Sequence, residues 1–286
     1  MEPISGRESH IERTATEPRD SHKHAVTLSR IDQINGNVRL FRLEIQKGSS
    51  IKFLPGQWLD TYVPNVTKPG GFTITSPPSK ARLPGSPYLE LAVQRSPSNP
   101  AAAWLWDKSF IGATLNIRVG GSFVWPPQEL DLASLRRVVF VAGGVGVNPL
   151  ISIVSHLAED KCPYDIQFLY SAKAPKNIDK EKPLFIERLA AIYGREKVHG
   201  RLQLFLTGHN VANETVLSCN NVDVPFKPRR MTLADVTEAL GHKEDHNAAV
   251  VYVCGVPSMT DEFVGRLVSP DELGLDRGQV LCEKWW

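Results

Sequence analysis

A chain of 286 residues that is 42% hydrophobic and 22% charged has the composition of a folded protein with one or two domains. Its 33 basic and 31 acidic residues leave a net charge of +2, so composition gives no case for binding nucleic acid or an anionic membrane surface. The longest apolar stretch, residues 138–147, is interrupted by glycines and is too short to span a bilayer.

The cysteines and histidines show no metal-ligand pattern. The four cysteines, Cys162, Cys219, Cys254 and Cys282, stand too far apart for a zinc or iron–sulfur ligand set, and the eight histidines are equally scattered. We therefore expect no metal. So few cysteines also argue against a disulfide framework, which favours a reducing compartment: the cytoplasm, with the mitochondrion as the alternative.

The first 24 residues are polar and carry five acidic side chains. This pattern fits neither the apolar core of a secretory signal nor an acid-poor transit peptide. Because such a stretch buries little apolar surface, we predict a disordered tail over residues 1–24.

Residues 25–131 have the pattern of an antiparallel β domain. Alternating apolar positions predict strands over residues 38–45, 57–63, 89–93 and 115–119. Pro55-Gly56 predicts a type II turn, and Asn99-Pro100 predicts the N-cap and first residue of a short helix. Short strands separated by proline and glycine turns indicate a small barrel or sandwich.

Residues 132–286 alternate between strand and helix patterns. Buried strands are predicted at residues 138–141, 166–170, 202–206, 250–253 and 280–282, and helices after Asn148-Pro149 and at residues 184–192, 232–240 and 258–268, with Thr232 and Ser258 as caps. Residues 209–230 lack periodicity and predict a long loop. The alternation indicates a doubly wound parallel sheet with helices on both faces.

Three glycines mark the turn where the first strand of this sheet leads into the first helix. Gly143, Gly144 and Gly146 lack a Cβ, so a phosphate could approach the backbone there, with helix N–H groups and a positive dipole end behind it. The competing interpretation is that the glycines serve only strand–helix packing. The Asn-Pro cap and the β/α alternation favour a nucleotide, and the turn expected to contact it is Gly143-Gly144-Val145-Gly146-Val147-Asn148.

A second motif, Cys254-Gly255-Val256-Pro257-Ser258-Met259, ends the fourth strand and is expected at the same edge of the sheet. Cys254 would face the nicotinamide end of a dinucleotide, and the alternative is a buried structural cysteine. After the second strand, Ser171 and Lys173 could meet a ribose 2′-phosphate, although Lys173 also fits a solvated loop charge. The choice between NADH and NADPH therefore stays open.

Six motifs stand in the order found in the ferredoxin–NADP reductase superfamily, which the chain resembles over residues 25–286. They are Pro55-Gly56-Gln57, Gly70-Gly71-Phe72-Thr73-Ile74, Gly120-Gly121-Ser122-Phe123, the glycine turn with Asn148-Pro149, the Cys254 motif and an aromatic C-terminus. Within the superfamily, the Gly-Gly-Phe motif, the Gly-Gly-Val-Gly turn and the final Glu283-Lys284-Trp285-Trp286 resemble the oxidoreductase NAD-binding domain-containing protein 1 group.

This resemblance implies a fold of an N-terminal antiparallel flavin-type β-barrel followed by a doubly wound parallel α/β nucleotide-binding domain. It implies that NAD(P)H passes a hydride to bound FAD or FMN and that electrons then leave to a separate, unidentified acceptor. The catalytic residues implied are Thr73 at flavin N5, Cys254 beside the nicotinamide and Glu283 near it. The implied cofactor contacts are Phe72, Thr73, Ile74, Thr75 and Val93 around the flavin ring, Gly120, Gly121 and Ser122 at its phosphates, Trp286 over the ring, and Gly255 with Cys254 at the nicotinamide.

One position departs from the superfamily pattern. An arginine usually stands two residues before the aromatic and pairs with the flavin phosphates, whereas this chain has Gly70. Losing a bidentate contact of that kind weakens the binding free energy by about 1.5–3 kcal/mol. Lys68 would restore the positive charge but not the two parallel hydrogen bonds that an arginine guanidinium donates. Two functions therefore stay open: a flavin-dependent NAD(P)H oxidoreductase, and a non-catalytic NAD(P)-binding module or redox sensor.

Overall fold

The computed structural model describes residues 9–175, 177, 181–208, 215–220 and 222–284. It forms two compact units, which divide between Ser122 and Phe123, whereas the sequence pattern places the boundary between residues 131 and 132. The earlier division has a packing reason, since Phe123 lies edge-on to Tyr252 with ring centroids 5.2 Å apart. The hydroxyl of Tyr252 also donates to the Val124 carbonyl at 2.8 Å. No helix in the described ranges is long and apolar enough to cross a membrane.

The first unit is an antiparallel β-barrel. Its elements are α1 (His10–Arg13), β1 (His24–Asn35), β2 (Val38–Ile45), β3 (Trp58–Tyr62), β4 (Gly70–Thr73), β5 (Tyr88–Gln94), α2 (Pro100–Trp106) and β6 (Thr114–Gly120). The strands lie in the order β4-β3-β6-β1-β2-β5. Ile74 forms a bridge with Leu91, and the Thr75 amide donates to the Glu90 carbonyl at 2.8 Å, so the two edge strands meet and close the sheet.

The local signals of this unit are confirmed. Alternate residues of the predicted strands fill one apolar core, among them Phe41, Leu43, Leu89, Leu91, Leu115 and Ile117. Gly56 has a φ of 99°, and the amide of Gln57 donates to the Leu54 carbonyl at 3.2 Å, as a type II turn requires. Asn99 caps α2, because its side-chain oxygen accepts from the amides of Ala101 and Ala102 at 3.1 and 3.2 Å.

The prediction of a disordered tail over residues 1–24 is wrong for the described part of it. Helix α1 begins after Ser9, and His10 is buried against the barrel. Arg19 forms an antiparallel bridge with Gly120. Order here comes from polar groups rather than apolar burial, since the segment hydrogen-bonds to a buried carboxylate, Asp60, that the composition of the tail does not reveal. Residues 1–8 lie outside the described residues.

The second unit is a seven-stranded α/β sheet. Its elements are β7 (Arg137–Gly143), α3 (Val147–Leu157), β8 (Asp165–Lys173), α4 (Ile186–Gly194), β9 (His199–Thr207), β10 (Val216–Cys219), β11 (Val222–Lys227), α5 (Leu233–Leu240), β12 (Ala249–Cys254), α6 (Pro257–Val268) and β13 (Val280–Glu283). The order is β10-β11-β9-β8-β7-β12-β13, and each neighbouring pair is parallel except β10 with β11. Helices α5 and α6 share one core with the sheet, and α3 and α4 contact it elsewhere.

The long loop predicted over residues 209–230 is a second difference. Strands β10 and β11 lie inside it, and β11 extends the parallel sheet with Phe226 opposite Leu204. The strands are short and the second contains Pro225, which hides the period-two signal. A proline is tolerated there because the described pairing of β11 with β9 begins only at the next residue, Phe226. Residues 209–214 and 221 lie outside the described residues.

One of the three helix caps predicted for this unit is confirmed, and two are wrong. Thr232 caps α5 through a capping box with Asp235, as predicted. Asn148 is not a cap, because a 3-10 turn over Gly144–Gly146 runs directly into α3, which begins at Val147 with Gly146 as its N-cap. Ser258 is not a cap either, since α6 begins one residue earlier, at Pro257.

Candidate functional site

The strand order of the second unit reverses beside β7. From β7 the chain moves outward through β8 and β9, then returns to place β12 on the other side of β7. In open α/β sheets, ligands bind at this switch point, beyond the carboxyl ends of the strands. Strands β7 and β12 end side by side there, with Ala142 opposite Cys254. The glycine turn and the Cys254 motif therefore share one sheet edge, as the sequence predicts.

Two of the three glycines in the turn are explained by close packing. A Cβ on Gly146 would lie 2.2 Å from the carbonyl oxygen of Cys254, which is backbone and cannot yield. A Cβ on Gly143 would lie 2.9 Å from the sulfur of Met259 and 3.2 Å from the Cα of Gly255. The packing interpretation of the glycine motif thus accounts for Gly143 and Gly146.

Packing does not account for Gly144. This residue is exposed, has a φ of +55°, and has no atom within 4 Å of the position that a Cβ would take. The next residue, Val145, exposes 40% of its surface, although valine is usually buried. Free space therefore lies beside bare peptide at the switch point and next to the start of α3, which is the combination a pyrophosphate requires. The side chains of Val147 and Asn148, by contrast, are buried.

Cys254 and Glu283 lie opposite each other on the parallel strands β12 and β13. Both are buried, Cys254 completely. Burial raises the pKa of the Cys254 thiol well above its ordinary value, and the neighbouring Glu283 carboxylate adds to the effect. The sulfur is therefore a protonated thiol, which suits a neutral contact surface and not a thiolate nucleophile.

Strand β8 brings the other predicted nucleotide contacts to the same edge. Ser171 lies opposite Gly143 in the register of β7 and β8. Lys173 ends β8 and is exposed. Trp286, predicted to cover the flavin ring, lies outside the described residues.

The residues predicted to line the flavin ring are together in the barrel, and all are buried. Phe72, Ile74 and Val93 belong to its apolar core. The hydroxyl of Thr75 donates to the Glu90 carboxylate at 2.8 Å, so it is already engaged within the barrel. Thr73 lies opposite Trp58 on the neighbouring strand and is 5% exposed.

Gly70 has a packing role that the sequence does not reveal. A Cβ at this position would lie 2.6 Å from the ring of Phe72 and 2.8 Å from the Cβ of Ala101. The aromatic ring therefore occupies the volume that a side chain at position 70 would need. An arginine fits there only if Phe72 turns away, so Gly70 and Phe72 depend on each other.

The Gly120–Ser122 turn, predicted to hold flavin phosphates, is covered by the chain itself. A Cβ on Gly120 or Gly121 would lie 2.7 or 2.6 Å from the indole of Trp58. The amide and the hydroxyl of Ser122 both donate to one carboxylate oxygen of Glu17, at 2.9 and 2.6 Å. Sequence reasoning missed Glu17 because no local pattern links it to a turn 105 residues away.

A buried carboxylate lies beneath this region. Asp60 accepts from His10 at 2.9 Å, from Arg19 at 3.1 Å and from two nitrogens of Arg118 at 2.8 and 2.6 Å. Burial by itself would raise the pKa of Asp60, but the hydrogen bonds from His10 and Arg118 and the charge of Arg19 hold it below its ordinary value. Asp60 is therefore ionised at neutral pH.

No group of three or more His, Cys, Asp or Glu side chains among the described residues is arranged to hold a metal ion.

The amino-acid sequence is similar to curated proteins over nearly its whole length, although no protein-family model matches it. Oxidoreductase NAD-binding domain-containing protein 1 of Bos taurus is 30% identical over 293 residues, covering 98% of this chain and 86% of that protein. The protein of the same name from Danio rerio is 29% identical over 288 residues, covering 98% of each. The reductase component of a propane 2-monooxygenase from Rhodococcus jostii (strain RHA1) is 22% identical over 263 residues, covering 90% and 62%.

Solved structures confirm the fold class. A ferredoxin reductase in carbazole 1,9a-dioxygenase superposes with a TM-score of 0.68 at 16% identity, covering 93% of this chain and 70% of that one. The flavohem-like FAD/NAD-binding domain of nitric oxide dioxygenase from Vibrio cholerae O1 biovar El Tor gives a TM-score of 0.67 at 18% identity, covering 91% and 97%. The barrel and the parallel α/β sheet are thus the two parts of a ferredoxin–NADP reductase-type fold. Together with the near full-length sequence match, this shows that the chain belongs to the oxidoreductase NAD-binding domain-containing protein 1 family.

Proposed function

We propose that this protein is an NAD(P)H-dependent oxidoreductase whose second unit binds the dinucleotide pyrophosphate against the peptide of Gly144. The observation that carries the proposal is the free space beside Gly144, between two glycines that packing already explains. The positive φ of Gly144 favours glycine at this position, and the open space beside it places bare peptide where ligands bind in open α/β sheets.

The remaining contacts of the second unit follow from their register. Cys254 and Glu283 would lie at the nicotinamide, where the protonated thiol of Cys254 would be a neutral neighbour of the reduced ring. Ser171, opposite Gly143, and the exposed Lys173 would lie toward the ribose farther along the edge. Because Lys173 is a cation on a strand that ends without a carboxylate, it would favour a 2′-phosphate.

In this proposal the first unit holds FAD or FMN. A flavin, when bound, would supply the acceptor for the nicotinamide hydride, and electrons would pass on to a separate acceptor. Thr73 and Phe72 on β4 and Val93 on β5 would form the ring end of such a site, and Phe72 and Val93 share the apolar core of the barrel. The Gly120–Ser122 turn, which would hold the flavin phosphates, does not fit them in this arrangement, because Glu17 already accepts from both donors of Ser122.

The test is Gly144→Asn, because asparagine tolerates a positive φ and would place an amide in the free space. Gly274→Asn is the matched control, with a φ of +63° and no neighbour closer than 3.8 Å to an added Cβ. We expect Gly144→Asn to weaken NADH and NADPH binding by about tenfold or more while the control leaves it unchanged. Equal affinities in the two variants would refute the pyrophosphate site. The proposed hydride transfer is tested by the absorbance of flavin bound to the protein, which should fall when NAD(P)H is added.

A non-catalytic NAD(P)-binding module is the second candidate, and the packing of Phe72 into the volume beside Gly70 favours it. That packing leaves no room for the arginine that pairs with flavin phosphates in similar reductases. This candidate predicts a measurable dissociation constant for NADH, no saturable FAD or FMN binding, and no turnover with artificial electron acceptors. Reduction of such an acceptor by NADH in the presence of bound flavin excludes it.

A further inference from the structure

Residues 9–20 run across one side of the barrel, and we call them the strap. At one end of the strap His10 contacts Trp58 edge-on with ring centroids 4.7 Å apart, and its ring covers Gly71 so closely that a Cβ there would lie 2.2 Å from it. At the other end the Asp20 amide donates to the Val119 carbonyl at 2.9 Å, and the Gly121 amide donates to the Pro18 carbonyl at 3.0 Å. The strap therefore adds backbone pairing to the end of β6.

Between these ends the strap supplies an anion to the Gly120–Ser122 turn. One oxygen of Glu17 accepts from the amide of Ser122 at 2.9 Å and from its hydroxyl at 2.6 Å. A backbone N–H and a hydroxyl converging on one oxygen are the donors that bind an oxyanion, whether a carboxylate or a phosphate. The turn is thus a small anion site, and the chain's own carboxylate fills it.

The buried carboxylate beneath the strap, Asp60, would keep a charged partner if the strap moved away. Asp60 is fully buried, and two of its hydrogen-bond partners, His10 and Arg19, belong to the strap. The third, Arg118, lies opposite Asp60 on the neighbouring strand β6 and contacts the same carboxylate with two nitrogens. Removing the strap would leave this charge paired, so the heavy cost of a lone buried carboxylate does not arise.

We propose that the strap is a built-in competitor for the phosphates of a flavin nucleotide, with Glu17 as the competing group. This inference rests on the flavin half of the proposed function. The phosphate and Glu17 require the same two donors of Ser122, and two anions at one small site repel each other. Flavin nucleotides therefore bind only when the Glu17 carboxylate gives up its hydrogen bonds to Ser122. The affinity for a flavin without phosphate does not depend on Glu17.

The experiment compares FAD, FMN and riboflavin titrations of the full chain and of Glu17→Ala, with NADH titrated in parallel. Asp20→Ala is the matched control, because it removes the same charge from the strap at an exposed side chain beyond the Ser122 contact. We expect Glu17→Ala to bind FAD and FMN about tenfold more tightly than the parent chain, with riboflavin unchanged, and Asp20→Ala to match the parent. Hydrogen exchange at the Ser122 amide should be at least severalfold faster in Glu17→Ala and should slow again when FAD is added.

Equal FAD affinity in the parent chain and in Glu17→Ala would overturn the competition and leave the proposed function intact. A gain for riboflavin as large as that for FAD would overturn it as well, because the effect would then not act at the phosphates. If neither protein binds any flavin, both the competition and the flavin half of the proposed function fail, while the NADH titration still reports on the second unit. An unchanged Ser122 exchange rate would show that the Glu17 contact does not form.

Discussion

Gly143 and Gly255 approach so closely across the ends of β7 and β12 that a Cβ on either one would lie 3.2 Å from the Cα of the other. The glycine turn and the Cys254 motif are therefore one packed unit, joined through their backbones. The exposed peptide at Gly144 therefore lies between two glycines, Gly143 and Gly146, at which an added Cβ would meet neighbouring backbone.

The glycines of the turn should differ in their effect on stability. Gly146→Ala should lower the free energy of unfolding by about 3 kcal/mol, because the new Cβ would overlap the backbone carbonyl of Cys254. Gly144→Ala should cost about 1 kcal/mol, the strain of a positive φ in open space. Urea denaturation of both variants measures the difference. Equal costs would mean that the packing around Gly146 is looser than described.

Cys254 should be unreactive toward thiol reagents in the folded chain. It is fully buried and its pKa is raised, whereas Cys162 and Cys282 are partly exposed. We expect a thiol reagent such as DTNB at pH 8 to label Cys254 only after unfolding, as shown by comparison with Cys254→Ser. Rapid labelling of native Cys254, located by mass spectrometry, would contradict its burial and the neutral contact proposed for it.

Asp60 should make the stability of the chain sensitive to acid. Its folded-state pKa lies below the ordinary value of about 3.9, so its contribution is fully present above that pH and is lost as the pH falls through the folded pKa. Asp60→Asn should cost about 3 kcal/mol at neutral pH, because it leaves cationic partners without their carboxylate. Unfolding curves between pH 7 and pH 2 should show a shallower acid decline for the variant. Parallel declines in the two proteins would assign the acid sensitivity to other groups.

Tyr252 should stabilise the segment that follows Ser122. Its buried hydroxyl donates to the Val124 carbonyl at 2.8 Å, so Tyr252→Phe should lower the free energy of unfolding by about 1–2 kcal/mol. Tyr88→Phe, at a partly exposed position on β5, should change it by less than about 0.5 kcal/mol. Chemical denaturation compares the two, and similar costs would argue that the hydroxyl contact contributes little.

Sequence patterns alone predict much of the architecture and the position of the glycine turn at the sheet edge. Local features depend on residues a few positions apart, so the sequence pattern predicts them without a structure. Examples are the strand face of Phe41 and Leu43, the Asn99 cap and the Thr232 capping box. Sequence patterns did not predict strand β11. The strand is short and contains Pro225, which weakens the alternation of apolar and polar residues by which strands are recognised.

The surroundings of each motif residue, by contrast, depend on long-range contacts. The tertiary structure separates Gly144, which borders free space, from Gly143 and Gly146, which close packing explains. Residues 9–20, part of the segment predicted to be disordered, are ordered in the structure. Within them, the Glu17 carboxylate accepts a hydrogen bond from Ser122. The physical reason is the same in each case: these contacts join residues far apart in the chain, and neither composition nor periodicity carries information about which distant surface a side chain will meet.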